Sequence, residues 1–172
     1  RNAAYMIEDQ RFATRRNDVI TFITPPLKHD LTLCGTVGVD LSTSISTTDA
    51  DYVVKLIDVF PDDVDNEQAG YEMLVRGDIM RGRYRNSFGN PEAFVPDRID
   101  KVVFSLPDVA HTFLKEHRIM VQIQSSWFPL ADRNPQQFIN IYQCTKSDFI
   151  KSSVRIYHER AHVSKLMLPV LH

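Results

Sequence analysis

No apolar run in this 172-residue chain approaches the ~20 residues that a membrane-crossing helix needs. Cysteine is scarce. Cys34 and Cys144 lie far apart and fit no metal or redox spacing, so they read as two buried free thiols; a disulfide between them stays open, and the compartment is undetermined. An excess of charge is also missing. Twenty Lys and Arg face 22 Asp and Glu, a formal net charge of −2, which gives no pull toward nucleic acid or an anionic membrane. The opening residues, RNAAYMIEDQ, contain neither an initiator Met nor a signal-peptide core, and are expected to belong to a piece excised from a longer polypeptide. No Gly-x-Ser-x-Gly elbow occurs, so the turn that presents a serine nucleophile beside an oxyanion hole is absent. Amphipathic helical periodicity is almost absent, and there is no internal repeat or low-complexity stretch.

What remains is strand after strand. From Arg118 to Gln124, Ile119, Val121 and Ile123 alternate with Arg118, Gln122 and Gln124, with Met120 the exception: the period of a half-buried strand. Pro129 and Pro135 cannot donate to a ladder, so this strand is expected to end near Trp127 and open into a long loop. Val37 to Ile45 alternates apolar with hydroxyl residues, after a brief separate strand at Leu31–Leu33. Tyr52 to Phe60 is apolar on both faces, as a covered central strand requires. Further strands are expected at 19–23, 73–75, 79–88, 102–106, 154–158 and 165–170, with 108–115 a connection containing at most one helical turn. Short strands with a turn signal every ten or so residues predict an all-β sandwich formed by one domain over residues 1–172. The long loops favour Greek-key or jelly-roll connections over a meander.

Six blocks, in order, carry a resemblance: DVITFITPPL, VDLSTSISTTDADYVVKLIDVFPD, RGRYRNSF, AHTFLKEHRIMVQIQSSWFP, DRNP and YHERAHVSKLMLPVL. Together they resemble the C-terminal domain of a serine hydrolase family. That family contains the cocaine esterases, X-prolyl dipeptidyl aminopeptidases, α-amino-acid ester hydrolases and glutaryl cephalosporin acylases. The resemblance implies a jelly-roll β-sandwich of the galactose-binding-like type, lying C-terminal to an α/β-hydrolase domain and its helical cap. It implies that nucleophile, acid and base lie upstream, so no catalytic residue and no cofactor are assigned to this chain. The domain would brace the hydrolase and cap domains as its partners, border the substrate cleft and support oligomers. Two departures stand out: Glu116 replaces the usual Gly, and Gly77-Asp78 replaces the usual Asp-Gly turn.

Several residues could carry chemistry or contacts. His158-Glu159-Arg160-Ala161-His162 spells H-E-x-x-H, which binds zinc only on a helix; its flanks read as strands, so an exposed turn is the plainer reading. Asp63-x-Asp65-x-Glu67 hints at a calcium loop but has Gln68 where the turn needs Gly. Arg76-Gly77-Asp78 spells an adhesion tripeptide that only a protruding loop would display. Arg81, Arg83 and Arg85 suggest a ladder that pairs with carboxylates inside the domain or across an interface. His111 and His117 are expected to be hydrogen-bonded structural histidines. The group Trp127-Phe128-Pro129-Leu130 must be buried somewhere, either closing the core or docking on another domain, and the resemblance favours docking. The candidate interdomain contacts are thus Arg83, Arg85, Trp127, Phe128, Asp132, Arg133 and Asn134. The rival from another class is an independent carbohydrate-binding module, with Trp127 as the platform and Asp132, Arg133 and Asn134 beside it.

Overall fold

The computed structural model describes residues 8–62 and 68–171. One turn of helix, α1 (Arg11–Thr14), precedes the strands β1 (Val19–Ile23), β2 (Leu31–Ile45), β3 (Asp51–Val59), β4 (Glu72–Arg81), β5 (Asp100–Phe113), β6 (Arg118–Gln124), β7 (Val154–Glu159), β8 (His162–Val163) and β9 (Lys165–Met167). They form two antiparallel sheets, one ordered β1-β6-β3-β4 and the other β5-β2-β7-β8, with β9 also paired to β2. β2 and β3 are consecutive yet lie in different sheets, as do β4 and β5, and β5 and β6. The chain therefore crosses repeatedly between layers, which a meander does not do. The all-β sandwich expected from the strand pattern is the fold.

The alternation along the strands builds the core. Val37, Val39, Leu41 and Ile45 of β2 meet Tyr52, Val54 and Leu56 of β3 and Ile119 and Ile123 of β6, joined by Val102, Leu106 and Phe113 of β5. β3 lies between β6 and β4, and all but its last residue are buried, as its two-sided apolar pattern predicts. The polar face of β6 is covered too. Met120, Gln122 and Gln124 are buried, and the Gln122 amide donates to Thr14 of α1 at 2.7 Å.

Three expected interruptions are continuous strand. Leu31–Leu33 and Val37–Ile45 are one element, because Gly35 at φ 125° absorbs a bulge between them. Opposite that bulge, Pro107 and Asp108 fall outside the ladder, so the missing Pro107 N–H breaks no pair. β5 therefore continues to Phe113, where a connection was expected. β4 likewise runs through Gly77-Asp78 without a turn, and stops at Arg81, where a 3-10 turn, Gly82–Tyr84, replaces the expected strand to Phe88. Cys34 is exposed and Cys144 half-buried, and both are free thiols.

One end of the sandwich is fastened by charge. Asp58, 1% exposed on β3, accepts from His111 Nε2 at 2.9 Å and from His117 Nδ1 at 2.8 Å, so β5 of one sheet and the start of β6 of the other share one carboxylate. Both histidines are structural, as expected. The turn between them puts Glu116 at φ 69°, with its N–H bonded to the Leu27 carbonyl at 2.9 Å. A left-handed conformation costs a residue with a Cβ roughly 1–2 kcal/mol, which is the physical reason a glycine suits this position.

Candidate functional site

The long loop leaving β6 forms the candidate site, and its first aromatic residue turns inward. Trp127 is 4% exposed, with its ring 5.1 Å from the ammonium of Lys55. Lys55 is itself buried on β3 and donates to Gln10 Oε1 at 2.8 Å. Gly77 lies beneath the indole, and a Cβ there would come within 2.9 Å of the ring, so the glycine serves close packing instead of a turn. The next apolar residues point out: Phe128 is 57% exposed and Leu130 49%. Of the apolar group, Trp127 thus closes the domain, while Phe128 and Leu130 face outward.

A buried ionic network pins the rest of the loop. Arg83 places its guanidinium on Asp49, with Nη2 at 2.6 Å and Nε at 2.7 Å, and donates from Nη1 to the Ile139 carbonyl at 2.8 Å. Asn134, 5% exposed, donates from its amide to Asp49 at 3.0 Å and to Asp51 at 2.8 Å. Arg81 pairs with Asp51 at 3.2 Å and donates to the Asp132 carbonyl at 3.1 Å. Arg85 pairs with Asp100 at 3.0 Å and lies over Phe94, 3.9 Å from the ring centroid. The three arginines are not a ladder on one strand face. They are spread over a strand end and a 3-10 turn, each directed to its own carboxylate. Arg83, Arg85 and Asn134 are buried and bonded within the domain, whereas Phe128, Asp132 and Arg133 are exposed.

Burial pushes the Asp51 carboxyl up to about 6, aided by the adjacent charge of Asp49 and opposed by Asn134 and Arg81. A raised folded-state value means that ionising Asp51 favours unfolding. Its contribution is therefore fully present below the unfolded value near 3.8 and is lost as pH rises toward 6. Asp51→Asn removes this titration. The stability of the Asn variant relative to the parent should therefore rise by up to ~3 kcal/mol between about pH 4 and about pH 7 and stay level above that. Denaturant unfolding across that range checks it, and a gap independent of pH would contradict it.

The exposed residues form one surface. A cleft of about 820 Å³ is lined by Tyr84, Leu130, Asp132, Phe138 and Tyr142, with Arg81 and Arg83 in its wall. Phe88 at 79% and Tyr142 at 83% exposure border the same end. Several large apolar side chains are thus open to solvent at this end of the sandwich. Trp127 and Asn134, which the rival sugar-binding reading needs exposed, are buried.

The other motifs find plain places. His158 and Glu159 end β7 and His162 opens β8, with Glu159 directly across from His162 in a hairpin; the shared helical face that zinc chemistry needs is not formed. No cluster of three or more His, Cys, Asp or Glu suited to a metal occurs among the described residues. Arg76-Gly77-Asp78 lies inside β4, and the acidic stretch 63–67 falls outside the described residues. No helix among the described residues is long and apolar enough to cross a membrane.

The fold is a two-sheet antiparallel β-sandwich with large apolar side chains open at one end. Residues 5–167 match the family model of the X-Pro dipeptidyl-peptidase C-terminal non-catalytic domain, and the chain belongs to that family. It is 34% identical over 163 residues to the cocaine esterase of Rhodococcus sp. (strain MB1 Bresler), covering 95% of this chain and 27% of that protein. Among solved structures it superimposes with a TM-score of 0.94 and 42% identity on an aminopeptidase from a marine sediment Thaumarchaeota archaeon, covering 97% of this chain and 28% of the other. An α-amino acid ester hydrolase gives a TM-score of 0.94 at 43% identity, covering 96% and 28%. The chain thus spans a little over a quarter of the length of these relatives.

Sequence reasoning did not single out Asp49, Asp51, Asp58 or Lys55. The signal available was a charged residue embedded in the most apolar strand, at Lys55 and Asp58, since burying a charge is costly unless it is paired.

Proposed function

We propose that this domain braces the catalytic part of a serine hydrolase that acts on acyl ester, amide or X-prolyl peptide bonds. In this reading the end bearing the 127–142 loop docks on the upstream α/β-hydrolase and cap domains and borders their substrate cleft. The observation that carries it is the set of exposed large apolar side chains Phe128, Leu130 and Tyr142, held on a loop fixed from beneath by buried ion pairs, with exposed Phe88 stacked on Tyr84 of the same cleft. A loop already fixed in shape pays little further ordering cost when a partner docks on it. The names of the relatives, an esterase, an ester hydrolase and an aminopeptidase, support the class of reaction, and their greater length supplies the upstream domains.

The test is a Phe128→Ser/Leu130→Ser double variant in the full-length protein, followed by thermal unfolding and turnover of an activated acyl ester. The expected result is a lower unfolding temperature and several-fold lower turnover. Both side chains are already exposed within the domain, so unchanged melting and turnover would mean that this end faces solvent.

A further inference from the structure

Arg133 is an exposed cation held in place without a carboxylate of its own. Its guanidinium lies 5.9 Å from the Phe128 ring centroid and 5.1 Å from that of Phe149, two rings that are 57% and 36% exposed. The residues on either side are fastened down. The Asp132 carbonyl accepts from Arg81 at 3.1 Å, and the Asn134 amide is bound to Asp49 and Asp51. Every other arginine of the site has its own anion: Arg81 has Asp51, Arg83 has Asp49 and Arg85 has Asp100. Among the described residues no carboxylate pairs with Arg133 within 4.0 Å.

We propose that Arg133 is the preformed ionic anchor of the docking face, and that it takes a carboxylate side chain from the catalytic part of the same polypeptide, the two phenyl rings packing around that ion pair. This rests on the docking reading above and deepens it. Charge complementarity names the group required. The planar guanidinium lies near two rings and pairs with no carboxylate of this domain among the described residues, and its paired N–H groups suit a two-pronged carboxylate. The relatives' extra length supplies the occupant, since nearly three-quarters of each lies outside the part this chain matches. A carboxylate arriving with apolar neighbours is shielded by Phe128 and Phe149, and in such a setting an arginine pair outweighs one left open to water.

The experiment uses the full-length protein and three variants, Arg133→Ala, Arg133→Glu and Arg133→Lys, melted at low and at high salt. The order of stability expected is parent, Lys, Ala, Glu, with Glu several degrees below the parent and the Ala-to-Glu gap narrowing in high salt as repulsion from the partner carboxylate is screened. Equal melting of Ala and Glu would overturn the proposal, because arginine would then contribute packing and not charge. Destabilisation by the Phe128→Ser/Leu130→Ser pair with none from Arg133→Glu would keep the docking face and reject its ionic anchor. No effect from either set would reject both. Hydrogen exchange should locate the loss: in Arg133→Glu, protection should fall in the 127–150 segment and in a peptide of the catalytic part that contains Asp or Glu.

Discussion

Arg83→Ala is expected to destabilise the domain by ~3–5 kcal/mol, the cost of leaving a buried charge without its partner. Asp49 is fully buried and keeps only the Asn134 amide and the Ala50 N–H once the guanidinium is gone. The Ile139 carbonyl loses its guanidinium donor in the same step and the Gln137 carbonyl keeps only the Ile139 N–H, so the effect reaches the loop as well as the pair. The consequence for function is indirect. The outer surface of the loop depends on this inner network, which holds it from beneath. Chemical denaturation measures the loss, and a value below about 1 kcal/mol, the range of exposed pairs, would show that the pair is effectively solvated. Arg83→Met combined with Asp49→Asn should recover part of it, since removing both charges leaves neither ion stranded.

Trp127→Ala is expected to cost ~3–5 kcal/mol as well, through a different mechanism. The indole fills the space above Gly77 and covers the Lys55 ammonium. Its loss opens a cavity and exposes a charged group that the strand keeps dry. The damage should appear in the domain's own unfolding, whereas Phe128→Ser/Leu130→Ser, at side chains already exposed in the domain, should leave that unfolding nearly unchanged. Trp127→Phe should lie between parent and Ala, because it keeps part of the volume and a ring face for the lysine. Thermal unfolding followed by circular dichroism separates these cases; a Trp127→Ala melt matching the parent would place the indole outside the packed layer.

Much of the fold was legible because side-chain alternation is a local property. The two-sided apolar run at Tyr52–Phe60 forecast a central strand, and the Ile119, Val121, Ile123 spacing a half-buried one. The misread elements share one cause. Gly35, Gly77 and Pro107 are ordinary break signals, yet here they sit at a bulge, beneath an indole and opposite that same bulge, and only the neighbouring strand reveals which. Glu116 is the reverse case, a residue with a side chain in a backbone conformation that favours glycine.

The site divides along the same line. The residues that would matter, from Arg81 to Asn134, were visible in the sequence as an arginine series and an aromatic loop, because charged and aromatic side chains have few roles to choose among. What they do was not visible. Trp127 and Phe128 are adjacent, yet one is buried and the other exposed; Arg83 is locked on Asp49 while Arg133 has only rings beside it. Asp49 and Asn134 are 85 residues apart and meet only because the sandwich brings the turn between β2 and β3 against the loop after β6. The sequence by itself determined the strand pattern, the family and the absence of a nucleophile elbow, all of which are written in local order. The tertiary structure alone decided which charges are spent inside the domain and which are left facing out, because pairing is a matter of distance in space.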